Sequence, residues 1–107
     1  METKRIDNYK EFYLFYLTEH QNKTSRILHF IGTFIVFALV FYFSITGAGW
    51  QWFLVPVAGY GFAWVGHYFF EKNKPATFQY PLWSLISDFK LFFEILFGKK
   101  TFDASKD

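Results

Sequence analysis

The chain has 107 residues, the size of one domain, with a formal net charge of +2. It is 52% hydrophobic and 19% charged, with 17 Phe, 7 Tyr and 4 Trp, which excludes disorder and argues against a water-soluble globule. With no Cys, disulfides, iron–sulfur clusters and thiolate zinc sites are excluded, and so small a charge without a basic face argues against nucleic acid.

The first 26 residues form a polar segment with an aromatic middle. Tyr9 to Glu19 reads YKEFYLFYLTE, a short, ring-rich stretch suited to a helix at headgroup level. A secretory signal would place its apolar stretch nearer the start, so the whole chain is expected to be mature protein.

From Ile27 to Phe70 there is no Asp, Glu, Lys or Arg. The run is about twice the roughly 20 residues one helix needs to cross a bilayer. Gly47-Ala48-Gly49 divides it, predicting one span over 27–46 and a second over 50–70, opened by Trp50 and Trp52. So short a connection makes the two spans antiparallel. In the second, Ala58, Gly59, Gly61 and Ala63 offer small residues for close helix contact, from which a homodimer is expected.

Beyond the spans, Leu82, Leu85, Ile86, Phe89, Phe92, Phe93 and Leu96 recur at helical spacing. Pro81 suits the first turn of such a helix and Gly98 its end, predicting an amphipathic helix over 81–98. Its charges assign it to the interface or to the flank of the hairpin. Residues 101–107 are expected to form a frayed tail. The expected architecture is one all-α membrane domain, an integral membrane helical hairpin flanked by interfacial amphipathic helices. Lys4, Arg5, Lys10, Lys23 and Arg26 precede the spans and Lys72, Lys74, Lys90, Lys99 and Lys100 follow them. By the positive-inside rule both termini are cytoplasmic.

The three histidines are the most informative residues. An antiparallel hairpin brings His29, near the start of the first span, to the depth of His67, near the end of the second. His20 reaches the same depth. On one continuous helix His20 and His29 would face opposite ways, about 13.5 Å apart along the axis. They converge only if the chain turns between them, where Asn22, Thr24 and Ser25 are all good N-cap residues. Glu71 lies four residues after His67, on the same face of a regular helix. Asp88 and Glu19 are further acidic neighbours. Imidazoles with a carboxylate and open positions are the ligand set of non-haem Fe(II) oxygenases, and they equally suit zinc. Taken singly, each histidine is also explained as an amphipathic interfacial residue, and each carboxylate as an exposed group or a partner of nearby lysines.

Two segments carry a family resemblance. FYLFYLTEHQNKTSRILHFIGT, from Phe12 to Thr33, and GHYFFEKNKPATFQYPLWSLISDFKLF, from Gly66 to Phe92, resemble the signature blocks of small membrane proteins related to the fungal 2-hydroxy-fatty-acid dioxygenase. The likeness covers most of the chain and is to the short bacterial-type branch. It implies Fe(II) held by His20, His29 and His67, with Glu71, Asn73 and Pro75 in the motif that follows. It also implies O₂-dependent shortening of 2-hydroxy fatty acids by one carbon, with catalytic and metal roles for the three histidines and Glu71. The expected location is a bacterial inner membrane, the equivalent of the endoplasmic reticulum in eukaryotes. Arg26, Lys72 and Lys74 are read first as charges that set orientation and second as partners of the substrate carboxylate. The competing functions are a non-catalytic membrane scaffold or lipid-binding protein and a zinc-dependent lipid hydrolase.

Overall fold

The computed structural model describes residues 6–107. Lys4 and Arg5, two of the basic residues behind the expected orientation, lie outside the described residues. Helices and turns make up the described chain, and it contains no strand.

Local chemistry accounts for each boundary. Helix α1, Tyr9–Thr18, starts at Asn8, whose side chain accepts a hydrogen bond from the Glu11 N–H. Helix α2, Lys23–Thr46, starts in the same way at Asn22, which accepts from the Ser25 N–H. It stops at Gly47, whose φ of 78° is costly for any residue with a Cβ. A 3₁₀ turn, Trp50–Phe53, runs directly into α3, Leu54–Val65, and then into a π-helical turn, Gly66–Glu71. Lys72, with φ 61°, ends it in the left-handed region. A second 3₁₀ turn, Ala76–Phe78, leads to α4, Pro81–Leu96, with proline in its first turn.

The helix α2 and the segment Trp50–Glu71 pack along their length in opposite directions. Phe43 meets Trp52, Val36 meets Gly59, Gly32 meets Phe62 and Ser25 meets Gly66. Glycine permits this approach: a Cβ on Gly32 would lie 2.8 Å from Phe62 Cβ, and one on Gly66 would lie 2.8 Å from Ser25 Oγ. Gly59 is therefore spent on contact with α2 of its own chain, whereas a Cβ on Gly61 would meet open space. Both segments are long and apolar enough to cross a membrane.

Helix α1 lies against α4. Phe12, Tyr13 and Tyr16 form a buried core with Ala76 and Leu91, and three phenols bridge to α4. Tyr9 bonds Ser87 at 2.9 Å, Tyr13 donates to Glu94 and Tyr16 donates to Asp88 at 2.5 Å. The tail does not fray as expected. Asp107 places both carboxylate oxygens on the fully buried Arg26 guanidinium, at 2.9 and 2.6 Å. A charge taken out of water needs such a partner, and the tail supplies it.

Candidate metal centre

Three separate elements deliver the histidines. His20 sits in the link after α1, His29 in the second turn of α2, and His67 in the π-helical turn. All are buried. Their ring centroids lie 4.4 Å (His20–His29), 4.5 Å (His20–His67) and 5.1 Å (His29–His67) apart. One ring nitrogen from each falls within 4.8 Å of the others. The chain turns at Asn22, which is what allows His20 to fold back onto His29.

The hydrogen bonds determine which nitrogens are free. His20 Nδ1 lies 2.7 Å from the Tyr16 carbonyl oxygen and His29 Nδ1 lies 2.9 Å from that of Ser25. A carbonyl only accepts, so both Nδ1 atoms carry the proton. His67 Nδ1 lies 2.6 Å from Asn73 Oδ1, while Asn73 Nδ2 donates to the Glu19 carbonyl at 3.1 Å. His67 therefore also donates through Nδ1. That leaves the Nε2 lone pairs free, and His20 Nε2 lies only 3.0 Å from His29 Nε2. Two such lone pairs repel unless a cation lies between them. Two nitrogens at right angles about 2.1 Å from one ion stand about 3.0 Å apart, so the pair fits a metal. Burial, and then the neighbouring imidazoles, push the His20 pKa well below its usual value, which keeps the ring in the neutral form a ligand requires.

Asn73 is the partner of His67 that sequence spacing misses. Its backbone N–H also closes on the His67 carbonyl at 3.0 Å, so it holds both the ring and the turn that bears it. Replacing Asn73 with Ala should weaken Co²⁺ binding at the histidines by about 10- to 100-fold. Titration of metal-free protein measures this, and an unchanged affinity would exclude the orienting role.

Glu71 is directed elsewhere. Its Oε1 accepts from the Asn22 backbone N–H at 2.6 Å, and its buried Oε2 has no hydrogen-bond partner. It thus clasps the start of α2 to the end of the π-helical turn, and it is not in the close cluster that the histidines form. Arg26, besides Asp107, donates to the carbonyls of His20 at 2.7 Å and Thr101 at 2.9 Å, so it braces the backbone at His20. Lys72 and Lys74 are exposed, with the Lys74 ammonium above the Phe78 ring. Pro75 precedes the second 3₁₀ turn.

Asp88 lies in the wall of a cavity that it shares with His29 and that occupies about 400 Å³ between α2, α3 and α4. Burial raises its pKa from 3.8 to about 7, against a smaller opposing effect of the Tyr16 hydrogen bond. Folded Asp88 thus keeps a proton that the unfolded chain loses, and stability falls as pH rises from about 4 to about 7. Asp88→Asn should flatten that part of the profile. Thermal unfolding in detergent across this window checks it, and an unaltered slope in the variant would refute the assignment.

A family model described as 2-hydroxy-palmitic acid dioxygenase Mpo1-like matches residues 6–100. That stretch contains the three histidines, Glu71, Asn73 and all of α4. No curated protein and no solved structure matches the chain.

Proposed function

The chain belongs to the Mpo1-like family, and from that membership we propose that it is an Fe(II)-dependent dioxygenase that shortens 2-hydroxy fatty acids by one carbon. The observation that carries the reading is the convergence of three buried imidazoles, each with one ring nitrogen within 4.8 Å of the others and with its Nδ1 on an oxygen acceptor. Fe(II) held there by His20, His29 and His67 would supply the O₂ chemistry that cleaves C1 from C2. The chain's own residues orient the imidazoles through Tyr16, Ser25 and Asn73 and keep bulk water from the cluster by burial. Glu71 positions the two strands of chain that carry the ligands.

The site belongs at a membrane face. Only 22% and 17% of the most apolar stretches of the two long segments are buried, which is unlike the core helices of a soluble protein and supports the membrane reading. Phe34, Phe41, Ile45, Phe53 and Phe69 lie exposed along them, as lipid contact requires. The reading is an integral hairpin with α1 and α4 at the cytoplasmic interface. A cysteine introduced at Ala48 should react with an impermeant reagent added from outside; labelling only after permeabilisation would reverse the orientation. A homodimer remains part of the proposal, and a detergent-corrected mass equal to one chain would remove it.

The functional test uses protein purified anaerobically in mild detergent and loaded with Fe(II). About one iron per chain, oxygen uptake with 2-hydroxypalmitic acid and a product one carbon shorter are expected. Failure to retain iron would overturn the reading. Native zinc with activity in the absence of oxygen would replace it by a hydrolase.

A further inference from the structure

The cavity behind His29 has a direction. Along α2 its wall is His29, Thr33, Val36 and Val40, spaced by four, three and four residues and so on one helix face. The antiparallel contacts of Val36 with Gly59 and Phe43 with Trp52 set Val55 opposite Val40 and Ala63 near Thr33, and both Val55 and Ala63 line the same space. One end therefore holds His29, Thr33 and Asp88. The other is lined by Val40 and Val55 and is apolar. From His29 to Val40 is roughly 16 Å at the α-helical rise.

We propose that this slot receives the hydrocarbon chain of a single-chain carboxylic acid lipid, head towards His29, and that Val40 and Val55 set the longest chain it accepts. The inference rests on the reading of the histidines as the reaction site, since that fixes which end receives the head. An extended chain advances about 1.2 Å per bond, as the three backbone bonds of an extended residue do. The slot thus takes about thirteen carbons beyond the polar end. A ligand of this shape gains by burying methylene groups, while Thr33 and Asp88 offer its oxygen atoms the polar contacts that the slot provides at one end.

The test is displacement of a fluorescent fatty acid from metal-free protein by the 2-hydroxy derivatives of lauric, myristic, palmitic and stearic acids. Wild type and variants are compared at equal lipid concentration in the same micelles. Val40→Phe and Val55→Phe should weaken the longest acids by about fourfold for each methylene group forced out and leave lauric binding nearly unchanged. Val40→Ala, which makes space, should shift the preference towards longer chains. In the iron-loaded protein the product profile should move with the binding profile. A length profile that stays the same in all three variants, or no displacement by any of the acids, would overturn the slot. Profiles that shift in protein without oxygen uptake support the slot and count against the dioxygenase reading alone. Normal oxygen uptake with unshifted profiles does the reverse.

Discussion

Alanine in place of any one of His20, His29 and His67 should abolish nearly all oxygen-dependent turnover and most of the bound iron. The three rings come from three elements and act as a unit, so the single losses should each approach the full loss and should not add. A purely structural role predicts a different pattern, in which thermal stability drops and metal per folded chain is unchanged. The discriminating measurement is therefore iron content normalised to folded protein, beside oxygen uptake. His29→Ala is the most telling variant, because removing its ring also relieves the 3.0 Å lone-pair contact with His20. The metal-free variant should then be no less stable than metal-free wild type. A His29→Ala protein that stays folded, keeps its iron and still consumes oxygen with 2-hydroxypalmitic acid would remove the site.

Arg26→Ala should cost about 3–5 kcal/mol, the range for breaking a buried charge pair by deleting one partner. The Arg26 side chain is 0% exposed and that of Asp107 is 21% exposed, which places the effect towards the lower end. The loss is more than one ion pair, because the same guanidinium holds the carbonyls of His20 and Thr101. Arg26→Lys should recover little, since one ammonium cannot reproduce a planar fork that serves three groups. Asp107→Asn should cost less, as both carbonyl contacts survive. Thermal unfolding in detergent orders the three variants, and metal titration should show weaker binding in Arg26→Ala because His20 is no longer braced. Wild-type stability in Arg26→Ala would contradict this account.

Much of the site was legible in the residues. The shared level of His29 and His67 follows from the register of two antiparallel helical segments alone, so the two could be paired from the charge-free run and its glycine break. The turn at Asn22 followed from helical arithmetic, because nine residues put His20 and His29 on opposite sides of any continuous helix. The partner of His67 was not legible. A regular helix sets Glu71 beside it, but the π-helical turn from Gly66 to Glu71 alters the register, and Asn73 folds back from beyond Lys72 to take that place. Apolar periodicity carries no sign of such a turn. Arg26 was hidden for another reason, in that counting basic residues treats a buried guanidinium and a surface lysine alike. The phenols of Tyr9, Tyr13 and Tyr16 read as an interfacial belt, while their bonds to Ser87, Glu94 and Asp88 span more than seventy positions and leave no local trace.

The clasp between the two ends of the hairpin also sets an order of assembly. Asn22 donates its backbone N–H to Glu71 and Asn73 donates to the Glu19 carbonyl, so the segments flanking His20 and His67 are tied to each other. His20 lies before α2 and His67 near the end of the segment that returns along it. During synthesis the first ligand must wait until both long segments have been made and have turned back before it meets the third. An ion that binds only the completed cluster would stabilise only that state, and so would work as a rivet set after the frame has closed. A chain arrested before residue 67 would offer two imidazoles and no clasp.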